Sequence, residues 1–296
     1  MRAPLTMSAR VIDGKACAAV IEATLKSRIA KIEATGRAPH LAVVIVGEDP
    51  ASKVYVGAKE RACTRLGITS TRVDLAGDCD YSEVVATVQN LNDDDSVDGI
   101  LVQSPLPKGM DEVAITDLIS PSKDVDGFHA MNLGRLVQGD ASGLLPCTPA
   151  GVMELLDFAG LEVSGARAVI VGRSRIVGMP LALLLAQKGA DATVTIAHSR
   201  TRDLAELCQE ADILVGAVGR ACLITADWVK PGAVVIDVGV NRVEDSSRES
   251  GYRLAGDVCP SVFEVASAVT PVPGGVGPMT IAMLMSNTVR AAEIRR

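Results

Sequence analysis

The chain has 296 residues, of which 48% are apolar, and a formal net charge of −7. That length exceeds one average domain and suffices for two cores. The acidic balance argues against a general nucleic-acid or acidic-membrane surface, so an anionic ligand must be met by local groups. No segment approaches the roughly 20 apolar residues of a membrane span. Met1–Met7 lacks the apolar core of a signal peptide and is too short for a transit helix. Cys17, Cys63, Cys79, Cys147, Cys208, Cys222 and Cys259 form an odd set without a C-x-x-C pair. They are expected as small apolar residues in a reducing compartment rather than as a disulfide or zinc framework, and the protein is expected in the cytoplasm.

In chain order, strand-like and helix-like runs alternate, the pattern of an α/β protein with mainly parallel sheets. Asp13 is placed to cap a helix with Ile21, Leu25, Ile29 and Ile32 on one face, closed by Gly36. A strand over 41–46, a helix from about Ala51 to Leu66 stopped by Gly67, and a strand over 98–102 follow. Residues 120–151, rich in Gly and Pro, read as a long functional loop or a domain joint. A second alternating stretch starts with a strand over 167–171 and a helix over 181–188. Strands near 192–196, 213–215 and 233–236 complete it. Residues 266–269 read as a buried strand end, and Pro278 suits the first turn of a last helix carrying Ile281, Leu284, Met285 and Val289.

Four segments carry candidate chemistry. Tyr55 and Lys59 are four apart on the helix, hence on one face, offset from an apolar row of Val54, Ala58 and Ala62. An amine at the C-terminal rim of a parallel sheet can relay protons if its surroundings lower its pKa, although such a pair is also a common surface motif. Gln103 ends a buried strand ahead of two prolines and can donate and accept at the same rim. Lys123-Asp-Val-Asp-Gly127 sets two carboxylates two residues apart without the further ligands of a calcium loop. A carboxylate facing N–H donors of a heterocycle is the economical reading there, and an ordinary acidic turn the alternative. In Thr270-Pro-Val-Pro-Gly-Gly-Val-Gly-Pro278, glycines between prolines give a stiff loop that backbone or ligand can approach closely.

The run Gly172-Arg-Ser-Arg-Ile-Val-Gly178 joins a strand to a helix, so its amides and the helix N-terminus can meet a pyrophosphate, though the spacing is not G-x-G-x-x-G. Where an NAD site places a carboxylate after the next strand, this chain has Ser199 and Arg200, with Arg173 on the first loop. Positive charge without a carboxylate suits a 2′-phosphate and therefore NADP. Solvated loop arginines are the alternative.

Together these segments resemble the bifunctional methylenetetrahydrofolate dehydrogenase/cyclohydrolases over essentially the whole chain. The strongest parts are Pro273–Ile281 and Gly172–Pro180, supported by Tyr55-x-x-x-Lys59 and Lys123–Gly127. One departure is Ser104, where the family usually has leucine after the matching Gln103. The resemblance implies two α/β domains facing a cleft. Residues 1–148 would form a folate-binding catalytic domain completed by a C-terminal helix over 278–296, and residues 149–277 a Rossmann-like NADP-binding domain. It implies Lys59 as the central catalytic group tuned by Gln103, with Tyr55 stacking on the folate aminobenzoyl ring and Asp126 accepting from the pterin. Pro271, Val272, Pro273, Gly274 and Gly275 would line the folate pocket. Gly172, Arg173, Ser174, Ile176, Val177, Gly178, Ser199, Arg200 and Val240 would hold NADP. No metal is expected, and a homodimer is implied. A dehydrogenase without the hydrolytic step and a non-catalytic nucleotide sensor stay open beside this reading.

Overall fold

The structure, a computed structural model, describes residues 9–248 and 251–296; the reading of Met1–Met7 lies outside them. The elements in chain order are β1 (Arg10–Val11), α1 (Gly14–Glu33), β2 (His40–Val46), α2 (Pro50–Leu66), β3 (Thr69–Leu75), α3 (Tyr81–Asp93), β4 (Gly99–Val102), α4 (Glu112–Leu118), α5 (Ala130–Gln138) and α6 (Cys147–Phe158). There follow β5 (Arg167–Val171), α7 (Gly178–Ala186), β6 (Thr193–Ala197), α8 (Leu204–Gln209), β7 (Ile213–Gly216), β8 (Val234–Asp237), β9 (Asn241–Glu244), β10 (Tyr252–Ala255), β11 (Ala268–Val269) and α9 (Val276–Ile294). Two compact units result: residues 19–147 with 281–296, and residues 148–280 with 9–18. Among the described residues no helix is long and apolar enough to cross a membrane.

The first unit is built on a parallel three-stranded sheet in the order β3-β2-β4. From Leu41 to Val46 the central strand is buried at every residue, as a parallel strand covered on both faces must be. Alternate side chains go to opposite faces. Leu41, Val43 and Ile45 join Leu25, Ile29 and Ile32 of α1, Val56 and Cys63 of α2, and Leu284, Met285 and Val289 of α9. Ala42, Val44 and Val46 join Val84 and Val88 of α3 and Ile115 of α4. Helix α1 is capped by the Asp13 carboxylate, which accepts from the N–H groups of Lys15 and Ala16 at 2.9 and 3.1 Å. Helix α2 is capped by Asp49, accepting from Ser52 N–H at 2.7 Å, and closed by Gly67 in the left-handed region at φ +79°.

The second unit carries a parallel six-stranded sheet, β1-β11-β8-β7-β5-β6, and an antiparallel pair, β9 with β10. Read from the β6 edge, the first four of these strands run 2-1-3-4 in order of appearance after α6, the doubly wound arrangement with its switch point between β5 and β7.

Several expectations are corrected. Residues 120–151 are not one loop, because α5 and the start of α6 lie inside them. Residues 9–18 belong to the second unit rather than to the folate-binding side, since β1 pairs in parallel with β11 at Arg10↔Ala268. Val54 is 62% exposed, and the buried stripe of α2 runs through Val56, Ala62, Cys63 and Leu66 instead. Finally, Cys222 and Cys259 form a disulfide, and the other five cysteines are free thiols.

Candidate active site

In the first unit, α2 presents Lys59 to the end of β4. The Lys59 ammonium donates to Gln103 Oε1 at 2.9 Å. The Gln103 amide is itself oriented: its Nε2 donates to Ser104 O at 2.6 Å, and its backbone N–H continues the ladder to Val44 O at 2.9 Å. Burial pushes the Lys59 pKa below its ordinary value, and the Asp126 charge opposes that fall. Burial pushes Asp126 up to about 6, against the pull of Lys59 and with help from Asp124. Cys147, whose thiol is raised well above its usual range by burial, interacts with the same two groups. Tyr55, one turn before Lys59, is 48% exposed.

The 123–127 loop is held from three directions. Lys123 Nζ donates to the carbonyls of Leu91, Asn92 and Asp94 at 3.0, 2.7 and 2.7 Å, closing the C-terminal end of α3. Asp124 accepts from Gly127 N–H, His129 N–H and Asn132 Nδ2 at 3.2, 2.8 and 2.9 Å. Asn287 of α9 donates through Nδ2 to Val125 O and Leu145 O, both at 2.8 Å. Gly127 needs its missing side chain: it sits at φ +76°, and a Cβ would lie 2.4 Å from the Leu145 carbonyl carbon. Of the two alternate carboxylates, Asp124 is spent on the loop. Among the described residues, no hydrogen bond reaches the Asp126 carboxylate from the protein. Lys123, Asp124, Cys147 and Asn287 are the supporting residues that sequence reasoning did not assign. Asn287 had left a signal as an amide among the apolar residues of α9, whereas Cys147 left none.

In the second unit, Gly172 follows β5 at φ +135°, and a Cβ there would meet Ala217 O at 2.1 Å. A Cβ on Gly178 would meet Gly172 O at 2.1 Å. These two glycines let the loop fold back between the end of β7 and the start of α7. Ser174 Oγ accepts from Val177 N–H at 3.1 Å and Gly178 N–H at 3.4 Å, so these amides are partly satisfied by the loop itself. Ile176 and Val240 are exposed apolar residues, at 40% and 45%.

A cavity of about 450 Å³ opens at the C-terminal ends of β5, β6 and β7, at the switch point. Gly172, Arg173, His198, Ser199 and Arg220 line it, with Leu204 and Leu223 as apolar walls, and no carboxylate is among its lining residues. Arg200 is exposed and is not among them; its N–H donates to His198 Nδ1 at 3.2 Å. The Pro271–Gly275 loop lies in the same unit. It turns back through Gly275 N–H to Pro271 O at 2.8 Å, and Gly274 O accepts from Gly14 N–H at 3.0 Å. A side chain on Gly14 would collide with Gly275 O.

A doubly wound unit with a glycine-lined, cation-rimmed cavity at its switch point, joined in one chain to a lysine-centred site on a second parallel sheet, defines a nucleotide-binding α/β enzyme. Residues 12–126 match the family described as tetrahydrofolate dehydrogenase/cyclohydrolase, catalytic domain, and residues 146–296 its NAD(P)-binding domain. The chain belongs to that family. It is 52% identical to the bifunctional protein FolD of Chlorobium phaeobacteroides, over 95% of this chain and 97% of that one. To the bifunctional protein FolD of Magnetococcus marinus it is 54% identical, over 96% and 98%. Among solved structures, the bifunctional FolD methylenetetrahydrofolate dehydrogenase/cyclohydrolase of Campylobacter jejuni is similar with a TM-score of 0.91 and 46% identity, covering 97% of this chain and 99% of that one. The Trypanosoma brucei FolD, solved with NADP cofactor and inhibitor, is similar with a TM-score of 0.92 and 40% identity, covering 97% and 98%.

Proposed function

We propose that the protein oxidises 5,10-methylenetetrahydrofolate to 5,10-methenyltetrahydrofolate with NADP and hydrolyses the product to 10-formyltetrahydrofolate, as a cytoplasmic homodimer. The observation that carries both steps is the Lys59–Gln103 pair beside Asp126. A dehydrogenase that had lost hydrolysis would have no use for a buried amine held by an amide.

The residues present fit a dinucleotide. Gly172 and Gly178 leave backbone room that any side chain would fill, and the cavity rim bears arginines without a carboxylate. Gly172, Arg173, Ser174, Ile176, Val177, Gly178, Ser199, Arg200 and Val240 would hold the cofactor. When bound, NADP supplies the acceptor for the hydride that leaves the methylene bridge.

Lys59 performs the proton work. Burial lowers its pKa, which favours the neutral amine relative to an exposed lysine, and in that form it can take a proton from the water that adds to the methenyl carbon. The bond from that carbon to N5 then breaks, N5 is protonated, and the formyl carbonyl remains on N10. Gln103 Oε1 fixes the direction of the amine. Asp126, without a protein donor on its carboxylate, accepts N–H groups of the pterin. Tyr55 offers its exposed ring to the aminobenzoyl group.

The test is one time course with methylenetetrahydrofolate and NADP, following NADPH and methenyltetrahydrofolate together. NADPH rising while methenyl stays low, with 10-formyltetrahydrofolate appearing faster than spontaneous hydrolysis, is the expected result. Methenyl accumulation would leave only the dehydrogenase. No reduction of either NADP or NAD would overturn the enzymatic reading, and NADP binding without folate binding would favour a sensor.

A further inference from the structure

The loop after β7 was not assigned a role by the sequence motifs, yet it contributes Ala217, Val218, Arg220 and Leu223 to the wall of the switch-point cavity. Its backbone is fixed to an unusual degree. The fully buried Asp257 carboxylate accepts from Val218 N–H at 2.6 Å, Gly219 N–H at 3.0 Å and Arg220 N–H at 2.8 Å. Asn241 Nδ2 donates to the same carboxylate at 3.0 Å. Cys222 N–H donates to Gly256 O at 3.0 Å, and its sulfur is bonded to that of Cys259. The base of Arg220 is therefore held on both sides while its side chain is exposed on the cavity wall.

Arg173 reaches the same cavity from the loop after β5. Among the described residues neither arginine forms an ion pair, whereas nine other arginines of this acidic protein do. The Asp257 carboxylate is taken up by the backbone of the loop. Two arginines lining one cavity, with Ser199 and His198 also on its wall and no lining carboxylate, are the complement of a phosphate dianion rather than of a ribose hydroxyl pair.

We propose that Arg220 is a specificity-determining residue of the cofactor site, its guanidinium joining that of Arg173 on the 2′-phosphate that separates NADP from NAD. This rests on the reading of the cavity as the adenosine end of the cofactor site. The pinned backbone limits the ordering cost on binding to the side chain alone. Arg200, absent from the cavity wall, has the lesser part.

The probes are the fragments 2′,5′-ADP and 5′-AMP, titrated calorimetrically on the full chain, which requires no turnover. Wild type is expected to hold 2′,5′-ADP more tightly than 5′-AMP. If the two bind equally, the cavity does not read a 2′-phosphate and the underlying assignment fails. Given that preference, Arg220→Gln is expected to weaken 2′,5′-ADP by about tenfold or more, the scale of a charge-assisted contact, and to leave 5′-AMP unchanged. Arg220→Lys is expected to recover part of the loss. Equal weakening of both fragments would assign Arg220 to loop structure alone, and no weakening of either would remove it from the site; each overturns the proposal. The KM ratio for NADP against NAD is expected to move in the same direction as the fragment ratio.

Discussion

Replacing Asp126 with asparagine is expected to make the apo protein more stable while it loses folate. Burial raises the Asp126 carboxyl from 3.8 to about 6. A carboxyl whose folded pKa lies above its unfolded one favours folding fully below the unfolded value, and that contribution is lost as pH rises through about 6. At about 1.4 kcal/mol per pH unit, the raised pKa costs the fold about 3 kcal/mol near pH 7.5, where the folded group is ionised, and only about 1 kcal/mol near pH 4.5, where it is mostly protonated. Asparagine fills the same space, breaks no described hydrogen bond and removes that cost. Urea unfolding of the two proteins at both pH values is the assay. The expected gain near pH 7.5 corresponds to roughly 6 °C or more in Tm. Asp237, also pushed up to about 6 by burial, gives both proteins the same slope and cancels in the difference. Destabilisation near pH 7.5, or a difference that does not change between the two pH values, would refute the reasoning. Folate binding measured on the same samples is expected to fall, which would make Asp126 a group kept for its ligand at the expense of the fold.

Lys59→Met is expected to accumulate methenyltetrahydrofolate while 2′,5′-ADP binding persists; unchanged methenyl hydrolysis would remove Lys59 from its role. Gly172→Ala combines a φ of +135° with a 2.1 Å approach to Ala217 O, whereas Gly189→Ala at φ +103° meets nothing within 4 Å. Backbone strain of roughly 1–3 kcal/mol is common to both, so cofactor binding is expected to disappear only in the first, and a parallel loss in both would show that the close approach is unimportant. Denatured protein kept free of reductant is expected to titrate five thiols, the free cysteines Cys17, Cys63, Cys79, Cys147 and Cys208, and seven after reduction. Seven thiols before reduction would mean that Cys222 and Cys259 are open in solution.

Most of the architecture was legible because its strongest signals are local. The uninterrupted apolar run of β2, the Asp13 and Asp49 caps and the Gly67 stop each name one conformation for a few residues. What escaped depended on contacts between distant residues. Strand β3 is mostly exposed along its length and shows little apolar alternation, so its identity comes from pairing with β2. Helix α5 is only Ala130–Gln138 and sits among glycines that resemble a linker. Val54 and Val56 are chemically alike; which of them faces the sheet is decided by rotation about α2, and the choice of Val54 was wrong. The Cys222–Cys259 bond was invisible for the same reason, since β9 and β10 intervene between the two residues. Within the candidate site, spacing placed Tyr55 and Lys59 on one helix face and singled out Gln103 and Asp126, while the roles expected of them came from the family resemblance. The supports Lys123, Asp124, Cys147 and Asn287 act through carbonyls and burial that spacing does not encode.

Asn287 and the two final arginines bear on how the chain is made. Residues 19–147 leave the ribosome early, but the carbonyls of Val125 and Leu145 receive an amide donor from Asn287, which is made much later. The buried Asp98 is approached by Arg295 and Arg296, just after α9, at 3.6 and 3.4 Å. Domains generally fold in order of synthesis; here the unit that emerges first is finished last. Its lysine-centred site thus waits for a helix that is made after the whole of the second unit, so the early unit stays unfinished while the later one is being synthesised.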